Sequence, residues 1–290
     1  MPGFGRVAAT AVAVGALAMV AVVAALNRLD AGDPVADRCS ATAEGTSWNL
    51  SPVQTDNAAL IGITAVERGL PARAATIGIA TGLQESKLVN IDYGDRDSLG
   101  LFQQRPSQGW GSEAEILDPV YSTNAFYDVL ETIDGYETLD VTDAAQRVQR
   151  SAFPLAYAQH ETRSRAWASA LSGYSEAALT CELAAVENPT GETTALVERI
   201  DRDLGDAPRE VDGDTVTVDT EGFGGTTARD RVRTSWAVAQ WAVATAQDTD
   251  ADAVTVDGHR WTRSSPTWEE IDGGPAPGQV EIRVAPAPHE

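Results

Sequence analysis

The chain has 290 residues, a hydrophobic fraction of 43% and a formal net charge of −22. That length allows one or two domains with a real core, and the acidity excludes nucleic acid as a partner, because phosphate binding needs a basic face. It also denies the protein any diffuse attraction to an anionic envelope, so attachment there has to be local and specific.

Residues 1–6 read as a cytoplasmic N-terminus. Residues 7–26 (VAATAVAVGALAMVAVVAAL) are an uninterrupted run of 20 apolar or small residues behind Arg6. Such a run is long enough to span a bilayer as a single anchor with its N-terminus inside. The other reading is a cleaved signal peptide, with Val23-Ala24-Ala25 as a small-residue cleavage site. Either way the rest of the chain is exported, anchored at the cell membrane or secreted to the wall. Residues 27–38 (NRLDAGDPVADR) form a polar spacer.

Residues 39–183 read as one mainly helical domain. Ala58 to Arg68 is apolar at helical spacing and stops before Gly69 and Pro71. Arg73 to Leu83 is nearly all apolar or small and predicts a buried helix ending at Glu85-Ser86. A polar loop follows (NIDYGDRDS, Asn90 to Ser98), and Asp118-Pro119 opens another helix. Thr142 to Arg150 and Ala166 to Leu171 give two more. No alternating run before residue 185 is long enough to predict a strand. Residues 184–192 read as a linker. Residues 193–290 read as a small α+β domain of unassigned role, with strands over Val254 to Val256 and Val280 to Val284.

Cys39 and Cys181 are the only cysteines. In an exported chain such a pair predicts one disulfide stapling the ends of the first domain, with two free thiols as the alternative. For a loop of about 140 residues the chain-entropy model gives roughly 4–5 kcal/mol of stabilisation. Two cysteines and three scattered histidines (His160, His259, His289) make no zinc spacing.

The most informative stretch is Gln84-Glu85-Ser86 followed by Ser98 to Pro106 (SLGLFQQRP). Gly100, Leu101 and Gln103 follow Glu85 by 15, 16 and 18 residues. This resembles the core motif of soluble lytic transglycosylases and goose-type lysozymes: Glu-Ser, a loop, then Gly-Leu-Met-Gln, with Phe102 here in place of Met. The segment from Leu99 to Gly111, then Ile116 to Pro119 and Phe126-Tyr127, is similar to lysozyme-like wall-hydrolase domains of Gram-positive bacteria. The resemblance implies a mainly α lysozyme-like domain plus a small C-terminal α+β domain. It implies no cofactor and a substrate of peptidoglycan glycan strands, cut at the β-1,4 bond from N-acetylmuramic acid to N-acetylglucosamine.

Within that resemblance Glu85 is the catalytic acid. Ser86 hydrogen-bonds its carboxyl, and Gln103 lies in the groove near an acetamido group. Tyr157, in Phe153 to Ala158, stands where the family places a tyrosine near the Glu, although the flanking Asn and Gly are missing, and a core tyrosine is the alternative. Trp110 is a candidate sugar-stacking ring or, alternatively, a loop anchor. The residues themselves give two reasons for a raised Glu85 pKa: an apolar helix that desolvates it and the negative end of that helix's dipole. Asp92, Asp95 and Asp97 are candidates for the second carboxylate a hydrolase needs; a transglycosylase manages with one Glu. The rival reading is a non-catalytic envelope protein that uses the fold for glycan binding or scaffolding, as in a secretion or conjugation apparatus.

Overall fold

A computed structural model describes residues 37–150, 155–223 and 227–288. The expected membrane segment at 7–26 lies outside these residues. Among the described residues no helix is long and apolar enough to cross a membrane.

The described chain opens with a hairpin, β1 (Arg38–Ala43) and β2 (Thr46–Leu50). Its two turn residues, Glu44 and Gly45, both have positive φ (50° and 75°), as a two-residue turn matching strand twist requires. β3 (Leu179–Glu182) pairs antiparallel with β1, completing a three-stranded sheet in the order β2-β1-β3. The register sets Cys39 opposite Cys181, and the two form the expected disulfide. This bond fits an oxidising, extracytoplasmic setting.

Two helices follow the hairpin. α1 (Pro52–Glu67) begins with a capping box between Ser51 and Gln54, and it is buried on nearly every side from Asn57 to Val66. α2 (Ala72–Ser86) lies against it. Short α3 (Glu113–Leu117), α4 (Pro119–Glu131), α5 (Val141–Gln149) and α6 (Glu161–Leu171) complete the helical part. α2 is sandwiched among α1, α5 and α6. This explains its small residues: Ala74, Ala75, Gly78, Ala80 and Gly82 are all buried.

The second part contains α7 (Thr194–Leu204), β4 (Arg209–Asp212), β5 (Thr215–Asp219), α8 (Ala228–Ala244) and α9 (Ala246–Thr249). β6 (Ala251–Val256), β7 (His259–Thr262), β8 (Ser265–Glu270) and β9 (Gln279–Val284) follow. Six strands form one antiparallel sheet in the order β4-β5-β9-β6-β7-β8.

The mainly α reading is therefore corrected. About 44% of the described residues are helical and 19% are in strands, and strands occur on both sides of residue 185. The physical reason lies in the strand sequences. β1 (RCSATA) buries only Cys39 and Ala41 on its inward face, so it carries no β-branched or aromatic alternation to read.

Asp37–Glu290 form one compact unit. α8 packs on β6 and β9 and also on α1, α6 and β3. Gln240 of α8 is fully buried and spends both ends of its amide on this seam. Its Oε1 accepts from the N–H groups of Ala178 (3.0 Å) and Leu179 (2.8 Å), and its Nε2 donates to the carbonyls of Ala170 (2.8 Å) and Ser175 (3.0 Å). Gly173, at φ 73°, lets α8 approach: a Cβ there would lie 1.8 Å from the Arg233 carbonyl oxygen. Trp268 of β8 donates its indole N–H to the Leu179 carbonyl (2.8 Å).

Candidate active site

α2 ends abruptly. Lys87 and Leu88 both take left-handed backbone (φ 58° and 59°), and the Leu88 N–H bonds back to the Gly82 carbonyl at 2.9 Å. The Leu88 side chain is fully buried and fills the space that a Cβ on Gly82 would need. The last turn of α2 is thereby fixed, and it carries Glu85 half-buried at its end.

Tyr157 reaches this carboxyl from the far end of the helical part. Its hydroxyl donates to Glu85 Oε1 at 2.6 Å, while the Tyr157 ring is wholly buried. The Gln149 side chain, from the end of α5, approaches the same carboxyl and donates to the Phe102 carbonyl at 2.7 Å. Burial pushes the Glu85 pKa above the ordinary carboxylate value; the contacts from Tyr157 and Gln149 favour the charged form but do not cancel that shift. No cation bonds this carboxyl among the described residues.

The turn after the loop is held to the end of α2 by Ser86. Its Oγ donates to the Leu101 carbonyl at 2.7 Å and lies 3.2 Å from the Gly82 carbonyl. With its one proton used there, Ser86 positions the Gly-Leu-Phe-Gln turn rather than bonding the Glu85 carboxyl. Gly100 stands at φ 76°, and a Cβ on it would lie 2.6 Å from the Ile116 carbonyl oxygen, so a side chain at this position is excluded twice over. Phe102 is fully buried and stacks on Phe126 with ring centroids 4.6 Å apart. It is a core residue.

Gln103 takes left-handed backbone (φ 50°), and its Nε2 donates to the carbonyls of Tyr93 (3.2 Å) and Gly100 (3.3 Å). It closes the loop on itself. Trp110 is half-buried and packs against the core. It also lines a cavity of about 390 Å³ together with Val129, Val148, Gln149 and Arg150. Gln149 therefore joins this cavity to Glu85.

The loop aspartates differ from one another. Asp97 Oδ1 accepts from Arg105 at 2.7 Å, and its Oδ2 accepts the Ser107 N–H at 2.8 Å. The Ser107 and Arg105 bonds hold its pKa below the usual carboxylate range. Asp92 and Asp95 are exposed. One residue before Glu85, Gln84 Oε1 accepts from Gln159 and lies 3.1 Å from His160 Nε2. Burial and then Arg163 push the His160 pKa down.

The structure thus brings together Glu85, Tyr157 and the end of α5, and it ties Ser86 and Gln103 into the neighbouring turn. Gln149 escaped the sequence reading, since nothing in an amphipathic helix marks one glutamine as reaching a distant carboxyl. Among the described residues no group of three or more His, Cys, Asp or Glu is placed to hold a metal ion. Neither a protein-family model nor a curated protein sequence matches the chain.

Proposed function

We propose that the protein cleaves peptidoglycan glycan strands between N-acetylmuramic acid and N-acetylglucosamine as a lytic transglycosylase, with Glu85 as acid and then base. One observation carries the reading: the 2.6 Å bond between Tyr157 and Glu85. It joins the motif carboxyl to a tyrosine 72 positions away, where the family resemblance expects one.

Glu85 in its protonated form donates to the leaving glucosamine oxygen as the C1–O4 bond breaks. The muramyl acetamido oxygen stabilises the cationic C1. The carboxylate, held by Tyr157, then takes the proton of the sugar's own 6-hydroxyl, whose oxygen closes on C1 to give a 1,6-anhydro ring. The raised Glu85 pKa suits the first step. Asp97 is a poor second carboxylate, since both oxygens serve loop bonds; Asp92 and Asp95 are the exposed carboxylates a hydrolase would have to use. Residues 7–26 would anchor the enzyme outside the membrane or direct its secretion to the wall.

A second reading, a glycan-binding scaffold without turnover, draws on Gln103, whose Nε2 donates within the loop rather than into a groove. Mass spectrometry of peptidoglycan digested with the full chain, beside Glu85→Gln, decides between them. Anhydro-muropeptides that require Glu85 are expected. Reducing-end products would mean a hydrolase, and glycan binding with no release would mean the scaffold.

A further inference from the structure

Arg150 is a cation next to the candidate site, adjacent in sequence to Gln149. It follows α5 as the helix C-cap, is exposed, and takes left-handed backbone (φ 51°). Among the described residues no carboxylate lies within ion-pair distance of it. Arg68, Arg73, Arg105 and Arg199 are held by acids, whereas Arg150 keeps its guanidinium exposed next in sequence to Gln149, a contact of Glu85. It lines the same cavity of about 390 Å³ as Trp110, Val129, Val148 and Gln149. That size falls within the roughly 300–1,000 Å³ of small-molecule sites.

We infer that this cavity is a subsite for the muramic-acid part of the substrate, in which Arg150 binds a carboxylate and Trp110 and the two valines take the face of the sugar ring. The inference rests on the glycan-cleaving reading above and adds to it the basis of selection. The two sugars of the wall differ in one respect that a cation can read: N-acetylglucosamine carries no acid, whereas muramic acid carries a lactyl group. In peptide-stripped strands the lactyl carboxylate is free. In peptide-bearing strands it is amidated, and the stem peptide supplies carboxylates of its own. A guanidinium offers a planar fork that matches either one. Gln149 lines this cavity and also contacts Glu85, so one side chain links a sugar seated against Trp110 to the proton donor.

Arg150 has a structural alternative, the compensation of the α5 dipole. Glycine suits the left-handed position after a helix better than arginine does, which makes Arg150→Gly a secure variant for separating the two. The experiment measures binding, by calorimetry, to the full chain carrying Glu85→Gln, with and without Arg150→Gly or Arg150→Lys. The ligands are peptide-bearing strands, peptide-stripped strands and N-acetylglucosamine hexamer, and thermal unfolding checks each fold. Arg150→Gly is expected to weaken binding of muramyl strands about tenfold, with partial recovery in Arg150→Lys and no change for the hexamer. Loss confined to stripped strands assigns the lactyl carboxylate, and loss confined to peptide-bearing strands assigns the stem peptide. Equal binding of muramyl strands with and without Arg150→Gly, or an equal loss on the hexamer, overturns the inference but leaves the glycan reading standing. Failure of the Glu85→Gln chain to bind any of the three ligands overturns that reading itself.

Discussion

Asp203 and Glu85 each sit near the end of a helix and each accept a hydrogen bond from an aromatic side chain, yet their surroundings are opposite. Asp203 is wholly enclosed and accepts from Arg199 (2.7 Å), Arg202 (2.6 Å) and the Trp241 indole (2.9 Å). Arg199 also reaches Asp56 of α1 at 2.6 Å, tying α7 to the first helix. Burial still pushes the Asp56 carboxyl up, while Arg199 pulls it the other way. Among the described residues Glu85 receives neutral donors, Tyr157 and Gln149. A buried carboxylate bonded by guanidinium groups is a structural anchor, because removing either partner leaves an uncompensated buried charge. One left among neutral donors keeps its proton to higher pH and can give it away.

The largest test of this contrast is Glu85→Gln. Loss of a general acid removes roughly a hundred- to ten-thousandfold of activity, so muropeptide release should fall to a trace. The variant should nonetheless be at least as stable as the parent at neutral pH, because it removes a charge that burial disfavours. A melting temperature clearly below the parent's would show that Glu85 is an anchor like Asp203. Arg199→Ala should do the reverse. It strands Asp203 and Asp56 without their shared cation, and breaking such a buried pair costs about 3–5 kcal/mol. Urea unfolding should show that loss, while activity per folded molecule stays near the parent's. A drop in specific activity in the folded variant would mean that the two regions are coupled.

Tyr157→Phe probes the neutral donors. The hydroxyl favours the charged form of Glu85, so its removal raises the Glu85 pKa further. The alkaline limb of the rate profile should move to higher pH. The rate itself should fall about tenfold, because the carboxylate formed after proton donation loses a hydrogen bond. An unmoved limb would mean that Glu85 does not set it.

These contrasts were unevenly legible in the sequence. The spacing of Glu85, Gly100 and Gln103 is local, and the end of one helix plus one loop carries it. Tyr157 was recognisable only by a short fragment beside it. What Ser86 bonds depends on how tightly the turn folds back, which no spacing states. The Asp56–Arg199–Asp203 contact joins residues far apart in the chain, and each reads alone as a solvated charge. Trp236 and Trp241, five positions apart, share no single helical face and so look ill-suited to one core. Both are fully buried, because α8 has neighbours on every side. The β1–β2 hairpin escaped because its turn is Glu-Gly rather than the more telling Asn-Gly or Asp-Gly.

The smallest expected effect compares Glu85 with Asp97, whose folded pKa values move in opposite directions. Asp97 is bonded in its charged form, so its contribution to stability is present above the unfolded value near ~3.9 and is lost as pH falls through the depressed folded value. Asp97→Asn should therefore be slightly less stable than the parent at neutral pH and converge on it in acid. Burial favours the neutral form of Glu85, so its charge costs nothing below the unfolded value of ~4.3, and the cost grows as pH rises to the raised folded value. Glu85→Gln should match the parent in acid and gain on it through that window. Melting temperatures measured from pH 3 to 8 should thus diverge from the parent in opposite directions. Curves that diverge in the same direction would mean that the two carboxylates share one role, and the contrast between anchor and proton donor would fail where its two members lie closest in sequence.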